Sequence, residues 1–466
     1  MRWHDSSNGV TVGREPAHSA GDGCGLTILN MKFIFNILPA LLLSSSLLAQ
    51  QVDSVFPRLR DERFWVSGQA NFVFQAQPGL DARYSGNNSF SSRYEKATSR
   101  VLTLFTGMQL SRSFEVLADV EEAGGNGLSK GLGLAAPPNA DFIGEDTFGQ
   151  RPYISRLMLH AVIGLSHETV EALRGPLSTF GVLPAKRIEF RAGKFGVVDF
   201  FDTNAAGSDT HLAFLNSATI QNAAYDYAAD ASGYSWGAMA EYTDPHFVFR
   251  FAGMLMPSAP GGERLVWNLR RAHSENVEMQ IPISPIRRKP AVVRALAFVN
   301  HGAMGSYRAA LTEGRTFLDT STATKYGFGL NVEQALARGV TAFARVGWND
   351  GRSGSYCYAE VDNTVSAGLL MSGELWRRRF DRAGIGIASN GISAIHREYL
   401  AEGGSGMMLG DGALRYGREN GIEGFYTLRV QRGIYVSPSV QWIANPGTNH
   451  DRGPALIAGL RTHLEF

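Results

Sequence analysis

The sequence predicts an all-β fold: a transmembrane antiparallel β-barrel of about 16 strands, with short periplasmic turns and long extracellular loops. Three observations carry that expectation. Apolar and polar residues alternate with period 2 over most of the chain from residue 64 onward. The alternating segments run about 9–12 residues, the length a tilted membrane strand needs, whereas soluble strands average about 5–6. Tight turns and long loops follow one another between them, as in outer-membrane barrels.

Composition narrows the field further. Of 466 residues, 44% are hydrophobic and 19% charged, against about 25% charged in soluble domains. That apolar content excludes a disordered chain. Two cysteines, Cys24 and Cys357, exclude a disulfide scaffold. No apolar run of about 18 residues lies beyond the N-terminal region, which excludes a bundle of membrane helices. Lys+Arg 44 against Asp+Glu 43 leaves +1, so bulk charge gives no reason to expect a nucleic-acid partner.

Read from the start, residues 1–30 resemble an upstream extension from a misplaced start, because Met31 opens a better one. Lys32, the mostly apolar stretch Phe33 to Leu48 and the small Ala49 make residues 31–49 a secretory signal peptide. Export would carry the chain to the outer membrane of a Gram-negative bacterium. Residues 50–63 are a short polar leader, and residues 64–466 form the barrel domain.

Strands are expected near 64–75, 99–110, 113–121, 152–163, 187–195, 233–243, 246–256, 266–272, 275–283, 290–300, 325–334, 338–349, 362–373, 381–389, 421–431, 433–443 and 455–466. The piece at 266–272 is weak, and bacterial single-chain barrels have even strand numbers, so 16 is the expectation. Phe114, Val116, Ala118 and Val120 oppose Glu115 and Asp119. Ile188, Phe190 and Ala192 oppose Arg187, Glu189 and Arg191. Phe247, Phe249 and Phe251 oppose Arg250, and the row from Val340 to Trp348 opposes Arg345. Period alone also admits a soluble sandwich with its apolar face turned inward; segment length selects the barrel. The last strand ends in Phe466 and must be complete, since an open edge leaves backbone groups unsatisfied in lipid.

The turns 110–113 and 243–246 are short, whereas 122–151, 195–232, 301–324 and 390–420 are long and rich in Gly, Asn, Asp and Ala. Helical spacing marks 304–311 and 391–402 within them. The acidic runs DVEEAGG and GEDT, near 122–151, read as solvated loop charge rather than a calcium site.

Several stretches are similar, in order, to the carbohydrate-selective porin family (OprB-like). They are SGQANFVFQAQPGLDARYSGNNS (67–89), AGKFGVVDFFDTNAAGSD (192–209), AAYDYAADASGYSWGAMAEY (223–242), AFVNHGAMGSYRAAL (297–311), and the C-terminal GFYTLRVQRGIYVSPSVQWIANPG and ALIAGLRTHLEF. The resemblance implies a 16-stranded porin that lets sugars cross the outer membrane passively, with no cofactor. It also implies recognition of the Phe466 strand by the barrel-assembly machinery; a homo-oligomer is a further expectation.

Sugars are neutral and rich in hydroxyls, so a selective pore needs hydrogen-bond forks and flat apolar faces. Alternation nominates Arg187, Glu189, Arg191, Glu115, Asp119, Arg156, Arg250 and Arg294 for the lumen, where they serve as such forks or solvate and rigidify it through mutual pairs, with pairs favoured. Asp199, Asp202 and Asn204 follow a strand in the family-like segment, where they line a constriction or form Asx-turns, with turns favoured. Trp65, Trp236, Trp348 and Trp442 are assigned to interfacial girdles. No GxSxG, HExxH, Walker A or CxxC occurs, and the histidines show no ligand spacing, so neither an enzyme nor a metal site is expected. The alternatives are a channel for organic acids or anionic polysaccharide, a barrel enzyme, and a soluble β-rich binding protein.

Overall fold

In a computed structural model, residues 54–56, 63–141, 151–286, 289–356 and 360–466 are described. The start extension, the signal peptide, most of the leader, the GEDT run and both cysteines lie outside them. The barrel opens with β1 (Phe64–Gln77), β2 (Glu95–Gln109), β3 (Phe114–Gly125) and β4 (Tyr153–Gly164). A small hairpin, β5 (Thr169–Glu171) and β6 (Val182–Pro184), intervenes. The wall continues with β7 (Arg187–Phe195), β8 (Ser235–Asp244), β9 (Phe247–Met254), β10 (His273–Ile283), β11 (Ala291–Gly302), β12 (Ala323–Ala337) and β13 (Val340–Asn349). It ends with β14 (Asn363–Ser372), β15 (Arg382–Gly391), β16 (Glu419–Gln431), β17 (Ile434–Ala444) and β18 (Ala455–Glu465).

Sixteen of these, all but β5 and β6, close into one antiparallel barrel in chain order, with β18 paired to β1. At that seam Gly68 and Phe466 exchange both backbone hydrogen bonds. A Cβ on Gly68 would lie 2.3 Å from the Phe466 ring, so a larger residue there would push that ring aside.

Alternation sorts the faces as the membrane reading requires. Phe72, Leu104, Phe190, Phe251, Leu330, Val346, Ile387 and Leu460 are exposed outward. Trp348 lies against Tyr326 and Phe328 near the long-loop rim, and Trp376 and Tyr426 meet near the short-turn rim. Trp65 does not join them. β1 begins with Phe64 outward, so a one-residue parity turns Trp65 into the lumen, where its indole N–H donates to Ser67 (2.9 Å).

Two other expectations change. Residues 266–272 are not a strand: Asn268 holds a turn there, accepting from Arg271 N on its carbonyl and from Arg270 N on its side chain. β3 runs to Gly125, so the DVEEAGG run is wall rather than loop.

Among the described residues, three short α-helices sit in long loops: α1 (Ser217–Ile220), α2 (Tyr307–Thr312) and α3 (Ala394–Ala401). The last two fall where helical spacing was read. The Tyr307 ring stacks on His396 at 4.3 Å, tying α2 to α3 across the long-loop mouth.

His396 is buried between Asp362 (Nδ1 to Oδ2, 2.9 Å) and Glu360 (3.3 Å). Burial opposes its charge, but Asp362 and Glu360 outweigh that and raise its pKa to about 9. A histidine so raised stabilises the folded cap fully below about pH 6.5 and loses that contribution as pH rises through about 9. The protection of amides in residues 394–401, taken as the observed exchange rate relative to the intrinsic rate at each pH, should therefore fall between about pH 6.5 and 9 and level off above, and His396→Gln should remove that fall. Protection that stays constant across that window would refute the assignment.

Candidate functional site: the lumen constriction

The loop between β7 and β8 (residues 196–234) folds into the barrel. Its composition supports this, since AAYDYAADA is too apolar for a solvated loop. Phe200, Phe201, Tyr225 and Tyr227 of the loop pack with Met239, Met254, Leu296 and Phe298 of the wall. Phe214 meets Phe343 and Phe425 edge-on, at 5.6 and 4.9 Å. Each such buried side chain contributes about 1.5–3 kcal/mol.

Polar bonds fasten the same loop. Glu278 accepts from Asp202 N (2.7 Å), Asn331 donates to Asp202 (2.9 Å), and Arg345 pairs with Asp202 at 3.1 Å. Glu423 accepts from Leu215 N and Asn216 N (2.7 and 2.9 Å). Arg461 donates to the carbonyls of Thr210 and Ala213, and Arg382 pairs with Asp209 at 2.9 Å. Gly347 allows the loop to approach: a Cβ there would lie 1.8 Å from Asn222 Oδ1. The partners lie on β10, β12, β13, β15, β16 and β18, so the loop leans on that half of the wall.

The loop after β3 also turns inward. Asn71 and His211 both contact the Asp141 carboxylate, at 2.6 and 3.1 Å, and Gln75 and Gln441 donate to the Pro138 carbonyl. Between these loops and β1–β4 remains a cavity of about 490 Å³, within the range of about 300–1,000 Å³ of small-molecule sites.

Its wall combines the two kinds of surface that a hydroxyl-rich solute uses. Arg156 pairs with Asp199 (2.8 Å) and with Asp119. Glu121 accepts from Tyr153 (2.6 Å), Thr103 (2.9 Å) and Tyr234 (3.1 Å). Phe105, Phe201, Tyr227 and Tyr234 supply flat faces. Five carboxylates (Glu121, Asp141, Asp199, Asp202, Glu465) line the cavity with one guanidinium, Arg156, and His211.

The sequence-nominated residues divide. Arg156, Asp199 and Asp202 line the cavity. Asn204 caps a turn, its Oδ1 accepting from Ala206 N and Gly207 N, while its amide donates to Asn331. Arg250 is inward but packed in a pair with Glu241 and Glu278 (2.5 and 2.8 Å), and Arg294 faces Glu333 at 3.5 Å. Arg187 and Arg191 both grip Glu189 (2.5 and 2.6 Å), which reaches through His160 to Glu115. Sequence reasoning missed Glu121, Tyr153, Asp141 and Tyr234. Glu121 had a signal, because the alternation that turns Asp119 inward turns it inward too; the two loop residues had none.

The profile of the family described as "Carbohydrate-selective porin, OprB family" matches residues 114–466. Among solved structures, the high-pH form of Pseudomonas putida OprB superposes with a TM-score of 0.65 at 16% identity, covering 87% of this chain and 95% of that one. Its low-pH form gives 0.47 at 14% identity, covering 87% and 93%. An uncharacterized protein of Nostoc sp. is 30% identical over 175 residues, which are 36% of this chain; the match spans only 28% of that protein's length.

Proposed function

The chain belongs to the OprB family of carbohydrate-selective porins, and from that premise we propose that this outer-membrane porin passes sugars selectively by passive diffusion. The supporting observation is the cavity wall, where the Arg156–Asp199 pair and the hydroxyl-held Glu121 share one chamber with Phe105, Phe201 and Tyr227. The charged pair and the carboxylate offer donors and acceptors to hydroxyls, and the rings offer faces to the C–H side of a pyranose. Neutral solutes cross down their gradient, and no covalent step is required.

A channel for organic acids or anionic polysaccharide is disfavoured by charge. Arginine on the inward strands gave that alternative its footing, yet Arg187, Arg191, Arg250 and Arg294 are each tied to a glutamate. Along the cavity, carboxylates outnumber guanidiniums even after Asp199 is set against Arg156 and Asp202 against Arg345, and that balance disfavours anions. Planar-bilayer recordings should give cation-selective reversal potentials and block by monosaccharides. Arg156→Gln should weaken that block about tenfold, the equivalent of ~1.4 kcal/mol. Anion selectivity with no block by any sugar would overturn the proposal. We also take export through the signal peptide and insertion through the Phe466 strand as the route to the membrane.

A further inference from the structure

The connection between β4 and β7 sits at the short-turn end but is no short turn. It spans residues 165–186 and folds as the β5–β6 hairpin, with Thr169 opposite Pro184 and Glu171 opposite Val182. Beyond the hairpin strands, Gly175 and Ser178 exchange backbone hydrogen bonds (2.7 and 3.2 Å) around Pro176 and Leu177. Proline at the second position of such a four-residue turn presets its bend.

This tip is fastened inside the barrel. Glu115, wholly buried on β3, accepts from Thr179 N (2.7 Å), Thr179 Oγ1 (2.5 Å) and Ser178 Oγ (2.8 Å). Gln109 and Arg174 both donate to the Thr179 carbonyl, at 2.6 and 2.8 Å. Phe180 is buried edge-on against His160, which stands between Glu115 and Glu189. Pro176 and Leu177 then line the same cavity as Val198 and Phe201 of the inner loop.

We propose that the hairpin tip, residues 174–180, is a second size-selecting element on the exit side of this pore, with Leu177 as its specificity-determining side chain. A solute that clears the Arg156–Asp199 pair meets a floor set by Pro176 and Leu177, an apolar edge fixed to the wall. The inward groups Glu115, His160, Glu189, Arg187 and Arg191 act here as the fastening for that floor. Because Glu115 takes three bonds from the tip, the floor keeps one position while solute passes.

The inference rests on the porin reading, and the test separates the two. Leu177→Cys is introduced into a chain whose Cys24 and Cys357 are replaced by serine, and the protein is reconstituted in planar bilayers. A bulky methanethiosulfonate reagent added from the short-turn side should at least halve the conductance, and a saturating monosaccharide should slow its reaction. Replacing residues 174–180 with two glycines should raise conductance and speed trisaccharide entry in liposome swelling, with heat-modifiable gel migration retained as proof of folding. If the parent chain conducts nothing, the porin reading falls. If it conducts while Leu177→Cys is unreactive, or reacts without changing conductance, the hairpin proposal falls alone. Should the loop replacement fail to fold, the cysteine result decides.

Discussion

Arg345→Met should destabilise the barrel by about 3–5 kcal/mol, the typical penalty for removing one partner of a buried ion pair. Arg345 has no exposed side-chain surface, pairs with Asp202 at 3.1 Å, and donates to the Thr219 carbonyl and Ser208 Oγ (3.0 and 2.8 Å). Without it, Asp202 keeps Asn331 and loses its cation, and the inner loop is freed where its turn meets β13. The same variant should raise single-channel conductance and make it noisy, because the detached loop no longer holds one aperture. Urea titration in detergent and bilayer recording check the two parts. Adding Asp202→Asn to Arg345→Met should recover part of the stability, since no unpaired charge remains. A single variant with parental midpoint and conductance would show that the loop is held by its apolar side chains alone.

Leu330→Arg tests the orientation of the wall. Leu330 is the eighth of fifteen residues in β12, exposed outward and paired with Val346 of β13. A guanidinium at mid-depth on a lipid-facing strand costs about 2–4 kcal/mol. Folding into phospholipid vesicles, followed by the heat-modifiable band, should show that loss, and Val346→Arg should repeat it. Unchanged stability for both would mean that this face does not meet hydrocarbon.

Much of the wall was legible because a strand between lipid and lumen must alternate, and alternation survives in the residues. Pairing then followed chain order, which left little freedom in topology. The false strand at 266–272 arose because VWNLR carries apolar weight without length; Asn268 turns the backbone, leaving Trp267 exposed beside Trp236 at 5.8 Å. β5 and β6 escaped notice for the opposite reason. Three residues are too few for a period to register, and only Gly175–Pro176 marked a turn.

The candidate site was harder to read. Parity said which residues face inward; it carried no information about which inward charges pair with each other and which meet the solute. Arg187 and Arg156 look alike on their strands, yet one grips Glu189 and the other lines the chamber beside Asp199. That difference is set by where two loops come to rest, through contacts between residues far apart in the chain, such as Gln441 with Pro138, 303 positions away.

The inner loop leans to one side, against β10 to β18, and leaves the chamber along β1 to β4. Work is thereby divided around the circumference. Exchanges along the open arc alter what is admitted, because Glu121 and Arg156 there line the chamber itself, so that arc is where the pore can drift toward new diets. The occupied arc bears the load, and a change there is felt as loss of the whole cylinder before it is felt as a change of taste.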